Sequence, residues 1–381
     1  MSGSIKRTVP LFSLADQLFN EQTVSKLSKS LKKAHRSFDE AGYRTDVLQQ
    51  FPDLELKERI SALVDGLESR LPDNFVKAVQ ILEKTLPPPL NPELTDDDFG
   101  EFVWCVPAEY VARHGVSGER LETSLAFLRE ATKRFSAENA IRPFLAEYPE
   151  ETMTFIWSCT TDDNYHVRRL ASEGIRPLLP WARKVVLPTE TILDVLTSLH
   201  ADNTRYVTRS VANNVNDLSK SDPDLVLDTL GQWRKQSTQS SDELEWMIRH
   251  GLRTMVKQGH PQALEFLGYP SKPVFSVSKV SVSDVVQVGD SLLWRGELTS
   301  RANQSLKIGL QMHFLRADGS HSTKLFAVAD RSMEKGESLL IEKSIGMKPL
   351  STRTLYTGIH HVELVVNGVH RTKKSFDLKE R

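Results

Sequence analysis

The chain has 381 residues, of which 39% are hydrophobic and 26% charged, and its formal net charge is −1. This length is more than one compact core usually holds, and the composition excludes a wholly disordered chain. No apolar run approaches the roughly 20 residues that a membrane-spanning helix needs, and the first residues lack the apolar core of a secretory signal.

The first 270 residues have the pattern of an all-helical protein. Residues 11–85 alternate amphipathic helical segments with short breaks, a proline- and aspartate-rich loop follows at 86–98, and helical patterns resume from about 100 to about 268. The only two cysteines, Cys105 and Cys159, lie in this part and predict neither a disulfide nor a zinc site, as in a reducing cytosol.

Short internal repeats predict how these helices are arranged. The tripeptide Ile-Arg-Pro occurs in residues 136–145 and again in 170–179, at an offset of 34 residues. HVRRLA at 166–171 matches YVTRSV at 206–211 and WMIRHG at 246–251, at offsets of 40. Periods of this length with paired helices are typical of a HEAT-like solenoid.

The second repeat places an arginine at the same point of three successive helices: Arg169, Arg209 and Arg249. Each has an aromatic or histidine three residues before it, namely His166, Tyr206 and Trp246. Equivalent positions of stacked repeats lie on one face, so the arginines form a stripe suited to a phosphate backbone. In the alternative interpretation, each arginine pairs with a carboxylate of the neighbouring repeat.

Three residues near this stripe are candidates for chemistry. Glu138 is expected in the first turn of a helix, either as a simple cap or as a catalytic carboxylate. Asp217 ends a polar helical face with Arg209 and Asn213, either as an exposed helix end or as a carboxylate aimed at the concave side. Trp181 follows a proline at a predicted helix end, either as a core residue or as part of the site.

The helical sequence pattern gives way to an alternating one at residues 268–277, and we predict a separate domain over residues 271–381. Alternating segments with turn signals at a spacing near ten residues indicate antiparallel strands, and about 105 residues suit a seven-stranded immunoglobulin-like sandwich. Residues 275–381 hold 16 Lys+Arg against 11 Asp+Glu, a net charge of +5, whereas the remainder holds 33 against 39, a net charge of −6. A polyanion is therefore drawn to the C-terminal part.

Other chemistries find no support in the sequence. Motifs of phosphate loops, dinucleotide folds, zinc proteases and serine hydrolases are absent. His313, His321 and the pair His360-His361 lack metal-ligand spacing, so a structural or phosphate-contacting role is expected for them rather than zinc.

Four long segments resemble one known family. RFSAENAIRPFL, NYHVRRLASEGIRPLLPWA, RYVTRSVANNVNDLSKSDPDLV and WMIRHGLRTMVKQGHPQAL are similar to the AlkC-type DNA alkylation-repair proteins, which are 3-methyladenine DNA glycosylases. The resemblance covers nearly the whole chain. It departs at ENAIRP, where a more apolar EFAIRP is expected, and at Thr208, where a second arginine is common and one phosphate contact is therefore in doubt.

The resemblance implies a HEAT-like glycosylase domain at residues 1–270 and a DNA-clamping immunoglobulin-like domain at 271–381. It implies a bacterial cytoplasmic monomer, with the nucleoid as its site of action, that needs no cofactor, metal, membrane or obligatory protein partner. The expected activity is hydrolytic release of cationic N3-alkylated bases, 3-methyladenine foremost and 3-methylcytosine as well, from duplex DNA without conventional base flipping. This reaction initiates base excision repair.

Site residues carry over from the family by position. The catalytic residues implied are Glu138, Trp181 and Asp217. The DNA contacts expected from the stripe and the sandwich are His166, Arg168, Arg169, Arg209, Asn213, Arg249, Lys324, Arg353 and His360. The alternatives are a non-catalytic HEAT-repeat scaffold that binds DNA or protein, and a lesion sensor that cuts nothing.

Overall fold

The computed structural model describes residues 13–96, 98–349 and 354–380. Its helices are α1 Leu14–Leu18, α2 Glu21–Ala34, α3 Glu40–Leu48, α4 Leu56–Glu68, α5 Phe75–Thr85, α6 Cys105–His114, α7 Leu121–Thr132, α8 Arg142–Glu147, α9 Pro149–Cys159, α10 Tyr165–Glu173, α11 Thr189–Leu199, α12 Arg205–Leu218, α13 Pro223–Gln236, α14 Ser241–Gly251, α15 Arg253–Lys257 and α16 Pro261–Phe266. Its strands are β1 Phe275–Val282, β2 Val285–Gln287, β3 Ser291–Ser300, β4 Gln304–Leu315, β5 His321–Met333, β6 Ser338–Gly346, β7 Gly358–Val366 and β8 Val369–Lys379.

The helices that matter for the site stack side by side. Helix α10 packs against α12, and α12 packs against α14, while α9 and α11 pack behind α10. Local signals start these helices: the Asn164 side chain accepts a hydrogen bond from the His166 amide at 2.9 Å to cap α10. Asp202 instead fixes Thr204, the residue before α12, since it accepts from both the amide and the hydroxyl of Thr204 at 2.8 Å.

The strands form a two-sheet sandwich. One sheet has the order β1-β3-β6 and the other β2-β8-β7-β4-β5. All recorded pairs are antiparallel except β2 with β8, which the alternation pattern did not predict. Alternate residues of β4, such as Leu310 and Met312, meet Trp294 of β3 in a shared apolar core that is closed to solvent. The predicted order of an all-α part followed by an all-β sandwich is confirmed.

The chain divides into two compact units. The first comprises the described residues up to Asp222 together with Asp228–Gly251, and the second comprises Pro223–Leu227 and everything described from Leu252 onward. Helices α15 and α16 thus group with the strands, whereas the predicted functional boundary at 270/271 stays a prediction. Cys105 and Cys159 are buried thiols. None of the helices over the described ranges is long and apolar enough to cross a membrane.

Candidate functional site

The three arginines of the predicted stripe lie on three neighbouring helices. Arg169 and Arg209 are each the fifth residue of their helix, α10 and α12, whereas α14 begins one turn earlier and Arg249 is its ninth residue. Their surroundings differ sharply. The Arg169 side chain is 13% exposed and ion-paired, Arg209 is 32% exposed and pairs with Asp96, and Arg249 is exposed. No ion pair to Arg249 is seen within the described part of the chain.

A chain of alternating carboxylates and guanidinium groups crosses α10 and α12. The Arg169 guanidinium donates to Glu138 Oε2 at 2.8 Å and lies 3.6 Å from Glu173 Oε2. The Arg176 guanidinium pairs with Glu173 on one side and with Asp217 Oδ2, at 3.0 Å, on the other. We call these five residues the charge network. Each guanidinium group in it lies between two carboxylates, so opposite charges are in contact throughout.

Burial and pairing set the charges of the network. Burial raises the pKa of the Glu173 carboxyl, but the guanidinium groups of Arg169 and Arg176 outweigh it, so the net pKa is lowered. Desolvation opposes the charge on Arg169, but the carboxylates of Glu173 and Glu138 raise its pKa above its ordinary value. Glu173, Arg169 and Arg176 are therefore ionised at neutral pH.

Glu138 is the most accessible carboxylate of the network. Its side chain is 23% exposed, compared with 5% for Glu173 and 4% for Asp217. The Ser136 hydroxyl also donates to Oε2, at 2.8 Å, so both recorded hydrogen bonds use the same carboxylate oxygen. The expectation of a first helical turn was wrong, because Glu138 lies in a turn and α8 begins only at Arg142. The simple helix-cap interpretation has no basis here.

Asp217 is not aimed at an open concave side. Its side chain is buried in the last turn of α12, where it accepts from Arg176 and lies 3.4 Å from the Lys220 ammonium. Neither the exposed helix end nor the solvent-facing carboxylate matches this position. Asp217 can orient Arg176, which in turn fixes Glu173.

Trp181 stands on a loop and not at the end of a helix. Helix α10 ends at Glu173, and Trp181 follows eight residues later with 70% of its surface exposed. Its φ of +60° is a left-handed conformation that non-glycine residues rarely adopt. Lys57 donates to the Trp181 carbonyl, and Arg142 donates to the nearby Arg183 carbonyl. The loop is thus anchored at Trp181 and two residues after it, while the indole itself is exposed to solvent.

Two expected DNA contacts on α10 are structural. Arg168 donates to Asp202 at 2.6 Å and to the Asp162 carbonyl at 2.8 Å, with its side chain 15% exposed. His166 is buried, and desolvation lowers the pKa of its imidazole to about 4, so it is neutral and carries no charge for a phosphate. On α12, Asn213 is half-buried and bonds His250 at 2.9 Å.

The three contacts expected in the sandwich have different outcomes. Lys324 is exposed, but it lies within strand β5 and not at a strand end or in a loop. His360 is completely buried between Phe314 and Phe376, so a direct contact with DNA is corrected to a core role. Arg353 lies outside the described residues.

Sequence reasoning missed Glu173, Arg176 and Arg142, and it noted Tyr206 only as the aromatic residue that precedes Arg209. The two arginines are the central residues of the repeated Ile-Arg-Pro motif, so the repeat itself marked them. Arg142 is fully buried, and one of its donated bonds reaches the Gly174 carbonyl at 2.8 Å. Tyr206 lies beneath the Arg169 guanidinium, 4.6 Å from ring centre to Cζ.

Within the ranges that the structure describes, no three histidine, cysteine or acidic side chains come close enough to hold a metal ion. His313 instead lies 3.3 Å from Glu363, which also accepts from His370 at 3.0 Å. Glu138 thus offers a fixed carboxylate beside Arg169, and the loop of Trp181 offers an exposed indole.

Comparisons with known proteins find similarity along almost the entire chain. The C-terminal Ig-like domain of the uncharacterised protein YhaZ, as a family model, matches residues 276–380. The uncharacterized protein YhaZ of Bacillus subtilis (strain 168) is 30% identical over 368 residues, which cover 95% of this chain and 98% of that protein. The structure of Pseudomonas fluorescens alkylpurine DNA glycosylase AlkC, bound to DNA containing an abasic site analogue, matches with a TM-score of 0.84 and 28% identity. That match covers 97% of this chain and 100% of the other.

Proposed function

This chain belongs to the family of YhaZ and AlkC, and from that premise we propose that it is a DNA glycosylase that acts on alkylated bases in duplex DNA. Its substrates are cationic N3-alkylated bases, 3-methyladenine foremost and 3-methylcytosine as well. The reaction is hydrolysis of the N-glycosidic bond without conventional base flipping, and it initiates base excision repair. The observation that carries the proposal is the Glu138 carboxylate, which is the most accessible of the charge network and is fixed through a single oxygen.

The reaction does not require a general acid to protonate the leaving base. Alkylation at N3 gives the base a positive charge, so it leaves without being protonated. The sugar then develops oxocarbenium character, and the needed groups are a negative charge beside it and a positioned water, by the same logic as in glycoside hydrolysis. Glu138 Oε2 accepts from Arg169 and Ser136, which leaves Oε1 as the oxygen to face the sugar or to orient the water.

The remaining residues take supporting roles. Trp181 presents an exposed indole that can contact the sugar or the cationic base, a contact worth about 0.5–2 kcal/mol. Arg249 can bind a backbone phosphate directly because its guanidinium is exposed. Glu173, Arg176 and Asp217 are positioning residues, since their buried ion pairs keep Arg169 against Glu138. Lys324 and the net positive charge of the sandwich favour a sequence-independent grip on DNA.

The test is chromatography of the bases released from N-methylated duplex DNA by the wild type and by Glu138→Gln. We expect the wild type to release 3-methyladenine and the variant to be slower by about 10²–10³-fold, because one preorganised charge is lost from the site. Glu122→Gln is the matched control, since Glu122 is an exposed carboxylate of α7. It should release bases at the wild-type rate.

Each other outcome has a definite meaning. Equal release by wild type and Glu138→Gln would keep the enzyme and remove Glu138 from its catalytic role. No release by a well-folded wild type would overturn the glycosylase. DNA binding without release would then favour a lesion sensor, and no DNA binding at all would favour a protein-binding scaffold.

A further inference from the structure

One loop of the helical unit has both of its ends next to the C-terminal end of helix α7. Residues 91–96, 98 and 99, here called the strap, are bounded by Leu90, whose amide donates to the Lys133 carbonyl at 2.9 Å, and by Gly100. Gly100 has a φ of +69°, and a Cβ there would lie 1.9 Å from the Arg134 carbonyl oxygen. Arg134 also donates to the Pro87 carbonyl at 2.8 Å. Both ends of the strap are therefore fixed at the C-terminal end of α7.

The middle of the strap reaches the start of helix α12. The Thr95 carbonyl accepts a hydrogen bond from the Tyr206 amide at 2.9 Å, and the Asp96 carboxylate pairs with Arg209. The Phe99 ring meets the Tyr206 ring edge-on at 5.3 Å. The strap contributes little apolar burial there, since Phe99 remains 47% exposed and Thr95 is exposed.

The strap occupies two positions that suit a phosphate. The first-turn amides of a helix of 14 residues point at an anion with the helix dipole behind them, and Tyr206 supplies one such amide. The Arg209 guanidinium, one turn further along α12, supplies a forked donor for anionic oxygens. Thr95 and Asp96 present to them a carbonyl and a carboxylate, the groups that a phosphodiester would replace.

Buried polar atoms next to Tyr206 lack partners while the strap is in place. The Tyr165 hydroxyl and His166 Nε2 have no hydrogen-bond partner, although both residues are almost fully buried. Their rings lie 5.7 and 5.2 Å from the Tyr206 ring. A buried polar atom without a partner is costly, so the strap in this position leaves polar atoms beside Tyr206 unsatisfied.

We propose that the strap is an internal mimic of a DNA phosphate: Thr95 and Asp96 occupy a backbone-phosphate site formed by the Tyr206 amide and Arg209, and duplex DNA displaces them when it binds. The proposal rests on DNA being the ligand, as proposed above. Closure of the strap reduces the fraction of molecules that are ready to bind, which lowers the apparent affinity by that fraction. Undamaged DNA is thus held more weakly than the arginine stripe alone would hold it.

The experiment measures binding of the full chain to an undamaged duplex oligonucleotide by fluorescence anisotropy. Asp96→Asn removes the charge that competes for Arg209, and we expect it to bind about three- to tenfold more tightly than the wild type. Glu150→Gln makes the same change in net charge at an exposed position of α9 and should leave the affinity unchanged. Asp98→Asn removes another negative charge from the strap and should tighten binding as well. Thermal melting of each variant verifies its fold.

Arg209→Ala in both backgrounds identifies the site. We expect the loss of affinity caused by Arg209→Ala to be larger in the Asp96→Asn background, because Arg209 is then available to DNA from the start. Equal affinities for the wild type, Asp96→Asn, Asp98→Asn and Glu150→Gln would overturn the strap proposal and leave the glycosylase intact. Equal gains in all three variants would also overturn it, since net charge alone would explain them. A wild type that binds no DNA would overturn both proposals.

Discussion

Glu138 and Glu173 are chemically identical residues that the fold assigns to different tasks. Both form ion pairs with Arg169, but Glu173 also pairs with Arg176 and accepts from Ser210 at 2.6 Å, so its oxygens are committed to the protein. Glu138 is more exposed and has its recorded bonds on one oxygen. A carboxylate that meets a substrate needs an accessible oxygen, as Glu138 has. A carboxylate that holds other side chains in place needs both oxygens bound, as in Glu173.

Trp181 combines exposure with backbone strain. A left-handed φ at a tryptophan costs roughly 1–3 kcal/mol, and such strain persists only where the surrounding structure holds it. Lys57 and Arg142 supply that support through the carbonyls of Trp181 and Arg183. Since a 70% exposed indole gains little from packing, the strain is better explained by a ligand contact than by stability.

His166 predicts a particular dependence of stability on pH. Burial lowers the pKa of its imidazole to about 4, with Asp98 opposing the shift and Arg169 adding to it, whereas an unfolded histidine titrates near pH 6.5. The unfolded chain therefore binds a proton that the folded chain does not, and the free energy of unfolding falls as the pH drops from about 6.5 to about 4. We expect a loss of about 3 kcal/mol over this window from His166 alone.

His166→Phe, which keeps a ring between Tyr165 and Tyr206, should remove this part of the pH dependence in urea unfolding. His35→Phe changes a less buried histidine of the same unit and should retain it. The same slope between pH 6.5 and 4 in wild type and His166→Phe would contradict the buried neutral imidazole.

At the scale of elements, α10, α12 and α14 show that equal repeat positions need not have equal roles. The helices are neighbours, as the 40-residue period requires, but each arginine meets a different environment. Arg169 faces Glu138 and Glu173, Arg209 faces the strap, and Arg249 is exposed. Pairing with a carboxylate is therefore observed for Arg169 and Arg209, whereas phosphate binding stays a prediction for Arg249.

Arg249→Ala and Arg168→Ala separate binding from stability. Arg249→Ala is expected to weaken DNA binding and to lower the slope of log affinity against log salt by about 1, because one phosphate contact is lost. Its melting temperature should not change. Arg168→Ala is expected to leave the salt slope unaltered and to cost about 3 kcal/mol of stability, since it strands the buried Asp202 carboxylate. Binding titrations at several salt concentrations measure the slopes, and urea unfolding measures the stabilities. A lower salt slope for Arg168→Ala and an unchanged slope for Arg249→Ala would refute the phosphate-binding stripe.

At the scale of the whole molecule, the compact units divide the chain at a different place from the change between helical and strand patterns in the sequence. The strand pattern begins near residue 275, but α15 and α16 already group with the strands from Leu252 onward. Their buried residues Met255, Ala263 and Leu264, and the 2.7 Å bond from the Tyr269 hydroxyl to Asp330, belong to that unit. A cut at residue 270 would therefore leave two short helices without their core.

A chain that ends at Gly251 is accordingly the proper test of the clamp. We expect it to keep its helical circular dichroism and to lose about tenfold or more in affinity for duplex DNA, because the unit with excess positive charge is removed. Base release should fall with it. Wild-type affinity and release by the shortened chain would exclude the clamp.

The sequence by itself determined the order of helices and strands and the stacking period of the arginine helices, because periodicity and repeated motifs are local properties of the chain. The catalytic roles of Glu138 and Trp181 stay predictions. The sequence also marked Arg142 and Arg176 through Ile-Arg-Pro, although it gave no role to them. Only the tertiary structure decided which charges are buried and paired. Asp217, His166 and His360 are buried against expectation, Glu138 meets Arg169, and Asp96 meets Arg209, because these contacts join residues 31 to more than 100 positions apart or depend on packing that no local pattern encodes.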